Sequence, residues 1–286
     1  MFGLPALLRW SYTAILFTWT DFKTIFFPVT AFACATGPVH SVSRLIHACT
    51  WIWIHLLLCN VSNQARSELE DSINRPWRPL PSGRISRPQA ILLRWLLVVA
   101  CMAWSASYGA DLVFITLFLA ISTLLYDELG LAAQPLGKNI CCIFGYASFE
   151  FGATKLVGPS RHLDLVSLSA IAISGALIFT TIQAQDFADV EGDIALGRVT
   201  FPIFAPDFSR SFTALIVPIW SAILGWYWGV GAGTQSVLVL LGGYVGWRVL
   251  TKRSSEDDKH SYVIYNLWLT IAHTLPLHKR TGLLHL

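Results

Sequence analysis

The sequence predicts an all-α membrane protein, a bundle of about nine transmembrane helices forming one domain over residues 1–286. Three observations carry that expectation. The chain is 54% hydrophobic and only 13% charged, about half the charged share of an average soluble domain, so it lacks the polar groups to cover a water-soluble globule. Apolar runs of membrane length recur along it, separated by short polar breaks. Lysine and arginine gather in the breaks on one side of the resulting bundle.

A spanning helix needs about 20 mostly apolar residues, fewer where other helices cover its ends. In chain order the runs fall at 22–38, 44–62, 89–108, 111–126, 139–157, 164–185, 211–229, 235–250 and 261–277. The fifth is the weakest, because Glu150 and Lys155 interrupt it. A further run, Leu7 to Thr18, is too short to span and is expected at the interface. No linker, repeat or low-complexity segment divides the chain.

The breaks after even-numbered spans share a side with the N-terminus. That side holds Arg9, Lys23, Arg66, Arg75, Arg78, Arg84, Arg87, Lys138, Arg198, Arg210, Lys252, Arg253 and Lys259, against Arg44, Arg161, Lys279 and Arg280 opposite. By the positive-inside rule the first side is cytosolic, with the endoplasmic reticulum the expected membrane in a eukaryote. The net charge of +3 does not suggest nucleic acid, and nothing in the sequence demands an obligate protein partner. The six cysteines lie in apolar runs without metal or redox spacing and read as core residues.

Two polar stretches stand out on the basic side. After the second span comes NQARSELEDSINRPWRPLPSGRIS, residues 63–86, and after the sixth comes QDFADVEGDIALGRVTFPI, residues 185–203. Asn63, Ser67 and Asp71 are four apart, so a continuing helix puts them on one face; Asp186, Asp189 and Asp193, spaced three then four, also share a face. Carboxylates so gathered call for cations. Oxygen ligands suit Mg²⁺, which commonly binds one or two carboxylates plus substrate phosphate oxygens. Arg75, Arg78 and Arg198 add guanidinium forks matched to phosphate geometry. The combination points to a diphosphate held at the membrane surface, with its apolar chain among the helices.

These motifs, NxxxSxxxDxxxRPxRPLPSG and DxxDxxxDxxxGRxTFP, resemble those of the UbiA superfamily of intramembrane prenyltransferases, and the resemblance covers most of the chain. It implies an all-helical bundle, a prenyl diphosphate substrate and Mg²⁺. Asn63, Asp71, Asp186, Asp189 and Asp193 are then the expected catalytic and metal-binding residues, with Arg75, Arg78 and Arg198 on the diphosphate. The chain departs from the family pattern in two places. Gln64 and Ser67 replace two acids of the first motif, leaving Glu68 and Glu70 nearby but outside the register of Asn63 and Asp71. YDELGL, residues 126–131, stands where a lysine segment is usual, and Lys138 is the candidate substitute on the diphosphate. NQxxSxxED and YDELGL resemble a fungal branch that includes membrane-bound terpene cyclases.

That branch implies a cyclase, or terpene synthase, acting on farnesyl or geranylgeranyl diphosphate in terpenoid biosynthesis. A prenyltransferase moving the same group to an aromatic or other lipophilic acceptor is the alternative, and a non-catalytic transporter or scaffold is a third reading. Either enzyme must ionise the allylic C–O bond and keep the carbocation from water. Aromatic faces stabilise such cations; Trp53, Phe144, Tyr146, Phe149 and Phe151 are candidates. Glu150 is an acid inside a span, where charge by default signals function; it either steers the cation or ties two helices. Tyr126, Asp127 and Glu128 close the fourth span on the motif side. His55 and His273 read as core residues.

Overall fold

The computed structural model describes residues 4–159 and 161–285. Helix α1 (Leu4–Thr18) runs through a short 3₁₀ turn and a π turn, Phe22–Phe26, into α2 (Phe27–Thr36). Then follow α3 (Val42–Gln64), α4 (Glu68–Asn74), α5 (Arg87–Ala106), α6 (Ala110–Asp127), α7 (Pro135–Val157) and α8 (Leu165–Thr181). A 3₁₀ segment, Ile182–Ala188, leads into α9 (Val190–Ala195) and α10 (Phe201–Phe204). The chain ends with α11 (Pro206–Trp228), α12 (Ala232–Thr251), α13 (Ser255–Thr274) and α14 (Pro276–Thr281).

Each of the nine expected spans is helical, and the fifth, α7, runs unbroken past Glu150 and Lys155. Among the described residues, six helices are long and apolar enough to cross a membrane: α3, α5, α6, α7, α8 with its extension to Ala188, and α11. The other three fall short for visible reasons. Helix α2 has 10 residues and lengthens only through the π turn; α12 carries Arg248 in its last turn; α13 opens on Glu256, Asp257 and Asp258.

The helices close into a ring. Helix α3 packs on α5 and α7, α6 on α7, α7 on α8, α11 on α12, α12 on α13, and α13 on α2. Three apolar clusters fill it. One joins α8, α11, α12 and α13 around Trp268, Tyr265, Val217 and Leu238. A second joins α2, α3, α6 and α7 around Trp51, Ile52, Leu119 and Leu156. The third joins α1, α3 and α5 around Phe17, Val61 and Leu97. In lipid the apolar surface is not what draws helices together, so close packing and internal hydrogen bonds carry the association. Trp51 illustrates both: its indole donates to Ser105 Oγ at 2.9 Å, and its ring lies on Gly152, where a Cβ would stand 2.3 Å from the tryptophan. Gly152→Ala is therefore expected to destabilise the protein by about 1–3 kcal/mol through overpacking, read as a lowered thermal midpoint in detergent.

Polar residues inside the bundle are tied pairwise. His55 bridges the Trp51 carbonyl (2.7 Å) and Thr116 Oγ1 (2.9 Å), as a core histidine does. Arg94, buried on α5, donates to Glu128 Oε1 at 2.5 Å, and Arg66 bonds the same carboxylate. Glu150 accepts from Ser174 Oγ at 2.5 Å, with His273 Nε2 3.2 Å from that hydroxyl. Lys155 instead pairs with Asp111 at 3.2 Å. Glu150 thus joins α7 to α8 beside α13 and is not among the residues that line the large cavity.

Candidate functional site

The two polar stretches that follow α3 and α8 fold against each other on one side of the bundle, α4 packing on α9. In the first stretch the expected continuous helix is interrupted. Helix α3 stops at Gln64, and Ser67 takes a twisted conformation (φ −107°, ψ 26°) before α4 begins. Main-chain bonds still carry the four-residue register across the break, Ser67 N to Asn63 O at 3.0 Å and Asp71 N to Ser67 O at 2.9 Å. The rotation decides which acid meets the cavity: Glu70 and Asn74, one turn apart, line it, whereas Asp71 is turned behind the wall. Asp71, favoured by the register, thus lies buried next to the cavity, and Glu70 stands in the lining itself.

In the second stretch the spacing is honoured by a change of helix type. The bond from Asp189 N returns three residues to Asp186 O (3.2 Å), and that from Asp193 N returns four to Asp189 O (2.9 Å). Helix α9 lies close on α4 because residue 192 is glycine; a Cβ there would come 2.3 Å from Asn74 Nδ2 and 2.7 Å from Glu70 Cγ.

Contact between the stretches is ionic. Arg75 grips Asp189 with both carboxylate oxygens at 2.9 and 2.7 Å. Arg198 donates to Glu70 at 2.6 Å and lies 3.4 Å from Asp193. Lys138, buried at the start of α7, lies 2.6 Å from Asp186 and 3.5 Å from Asp193. Arg78 donates to Asp71 at 2.7 Å and to Thr20 at 3.0 Å. Burial pushes the carboxyls of Glu70 and Asp71 above the usual carboxylate range, against the opposing pull of Arg198 and of Arg78. Burial also works against the Arg75 cation, but Asp189 and Glu70 outweigh it and hold its affinity for the proton above normal.

These groups form the mouth of a cavity of about 490 Å³, within the roughly 300–1,000 Å³ of small-molecule sites. Asn63, Glu70, Arg75, Arg78, Tyr126, Asp127, Lys138, Asp186, Asp189 and Arg198 line it. Asp71, Asp193 and Ser67 stand just behind as buried residues, and Glu68 is on the outer surface. The inner walls are Leu56, Leu119, Gly145, Ile182 and Val263, with the rings of Tyr146, Phe149 and Tyr262. Trp53, Phe144 and Phe151 lie elsewhere: Trp53 donates to Thr18, Phe144 meets Phe118 edge-on, and Phe151 packs against the first core cluster.

Asp127 ties the end of α6 to the end of α3. It accepts from Ser62 Oγ at 2.7 Å and from Asn63 Nδ2 at 3.1 Å. The Asn63 amide nitrogen is thereby engaged, and its side-chain oxygen lies 3.4 Å from Ser67 Oγ. Further cavity residues carried no spacing signal: Asp21, which holds Thr24 and Asn60, and Lys23, whose ammonium lies 5.7 Å from the Tyr262 ring centre. Asn74 was legible in principle, four residues from Glu70.

The donor set fits a hard divalent cation. Asp71 Oδ2 is buried with no hydrogen-bond donor, and Asp193 Oδ2 has only the Lys138 ammonium at 3.5 Å. Among the described residues no three His, Cys, Asp or Glu side chains gather into a ready-made cage. A magnesium ion held here would need water and substrate oxygens to complete its shell, its usual habit.

The fold and site thus define an all-helical membrane protein with a charged mouth of paired acids and bases over an apolar cavity. The chain belongs to the UbiA prenyltransferase family, whose model matches residues 24–270. It is 31% identical over 269 residues to the fumagillin beta-trans-bergamotene synthase of Aspergillus fumigatus, covering 94% of this chain and 92% of that protein. It is 26% identical over 258 residues to the diterpene cyclase eriG of Hericium erinaceus, covering 87% and 82%. Among solved structures, a UbiA homolog from Archaeoglobus fulgidus bound to GPP and Mg²⁺ shares the fold, with TM-score 0.61 at 14% identity over 92% of this chain and 99% of that one.

Proposed function

We propose that this protein is a magnesium-dependent terpene cyclase that ionises a linear prenyl diphosphate, farnesyl or geranylgeranyl, and closes the chain on itself. The observation that carries the reading is the meeting of the two polar stretches over one cavity, bridged by Arg75–Asp189 and Arg198–Glu70. Its similarity over most of its length to a bergamotene synthase and a diterpene cyclase supports the same reading.

Asn63, Asp186 and Asp189, with Asp71 and Asp193 behind them, would hold the magnesium. When bound, that ion neutralises charge on the departing diphosphate. Arg75, Arg78, Lys138 and Arg198 exchange carboxylate partners for diphosphate oxygens and stabilise the same developing charge. The allylic C–O bond breaks with its electron pair leaving on the diphosphate. The apolar walls exclude water, so an internal alkene rather than water meets the cation. Tyr146, Phe149 and Tyr262 offer aromatic faces along the tail's path, each worth about 0.5–2 kcal/mol to a passing cation; Tyr262 already faces the Lys23 ammonium. The released diphosphate, held at the mouth, accepts the final proton. We place this mouth on the cytosolic side, in the endoplasmic reticulum if the source is eukaryotic.

Because Asp127 acts through Asn63, Asp127→Ala is expected to raise the Mg²⁺ concentration for half-maximal activity about 10- to 100-fold. A magnesium titration of turnover checks this. The function itself is tested on microsomes carrying the protein, given one prenyl diphosphate and Mg²⁺ without acceptor. Cyclic hydrocarbon in the extract is the expected product; product appearing only after an aromatic or glycerol-type acceptor is added would overturn the cyclase.

A further inference from the structure

Helix α7 carries two interior glycines whose surroundings differ. At Gly152 a Cβ would collide with Trp51 at 2.3 Å, so packing requires the glycine. At Gly145 a Cβ would meet nothing within 4 Å, and the residue lines the large cavity. Glycine in a helix interior is unfavourable relative to alanine, and no neighbour at Gly145 compensates for it. What the missing side chain leaves is open space inside the cavity. Gly145 lies two turns along α7 from Lys138, about 10 Å at the helical rise. Lys138 is a diphosphate anchor at the mouth, so Gly145 stands where the distal units of the tail must pass or fold back. The rings of Tyr146 and Phe149 border the same space.

We propose that Gly145 is a specificity-determining residue, whose bare backbone sets how long a prenyl tail the cavity admits. The inference rests on the diphosphate-site reading above, since that reading fixes which end of the cavity the tail enters. A side chain here shortens the cavity from its inner part and leaves the charged mouth untouched.

The test uses the purified full chain in detergent with Mg²⁺. Thermal stabilisation is titrated with inorganic pyrophosphate and with C10, C15 and C20 prenyl diphosphates for wild type, Gly145→Ala and Gly145→Leu. Gly145→Leu is expected to keep the wild-type response to pyrophosphate and to bind the C15 and C20 ligands about tenfold or more weakly relative to C10, as overpacking of the cavity requires. Gly145→Ala moves in the same order by less, and carries the test if the leucine variant does not fold. An unchanged tail-length ranking, with wild type responding to the diphosphates, would overturn the role of Gly145 alone. A wild type indifferent to pyrophosphate and to every prenyl diphosphate would overturn the site reading and this inference with it.

Discussion

Asp186→Ala is expected to lower turnover by at least about 10²–10³-fold, the loss typical when one preorganised electrostatic group is removed from a reacting centre. Asp186 lines the cavity while only 1% exposed, and its carboxylate sits 2.6 Å from Lys138. Its removal deletes a candidate magnesium ligand and also leaves a buried ammonium whose nearest remaining carboxylate, on Asp193, is 3.5 Å away. These effects separate in the double variant. Adding Lys138→Met removes the stranded charge, so Asp186→Ala/Lys138→Met should recover thermal stability without recovering turnover. Recovery of both would contradict the roles given to Asp186 and to Lys138 alike.

The second large effect is on stability. Arg78→Met is expected to cost about 3–5 kcal/mol, the usual penalty for stranding one member of a buried ion pair. Asp71 is 0% exposed, Arg78 at 2.7 Å is its ion-pair partner, and its other oxygen has no donor. The methionine fills much of the same volume, so the loss reports charge rather than a void. Arg78→Met/Asp71→Asn should regain most of it. Equilibrium unfolding in detergent, followed for wild type, Arg78→Met, Asp71→Asn and the double variant, measures the coupling as a double-mutant cycle.

Much of this was legible in the sequence, and the exceptions share a cause. Apolar runs locate helices because the bilayer fixes their length; each of the nine predicted positions is helical. The two stretches face one cavity because both follow even-numbered spans. What periodicity does not supply is rotation across a break. The twist at Ser67 turns Glu70 and Asn74 into the cavity and Asp71 into the buried wall against Arg78, although the four-residue spacing from Asn63 favours Asp71. Likewise Ile182–Ala188 reads as the end of a helix but winds as a 3₁₀ segment, which brings Asp186 against Lys138 from a different helix. Partners in three dimensions also decided Glu150. Its position in a span signals function, yet Ser174 on α8 and His273 on α13 enclose it away from the cavity. Asp127 is the converse case, a span-end acid that sequence alone leaves between the diphosphate site and open water and that the fold hands to Asn63.

The central claim is that residues from both stretches build one metal–diphosphate site. Mn²⁺ is a spectroscopic stand-in for Mg²⁺, and its binding to the purified protein is read by electron paramagnetic resonance with and without inorganic pyrophosphate. The comparison is among wild type, Asn63→Ala from the first stretch and Asp186→Asn from the second. We expect tight Mn²⁺ uptake by wild type only when pyrophosphate is present, and marked weakening in each variant. Wild-type uptake in either variant would mean that one stretch suffices alone, and the shared site would be contradicted.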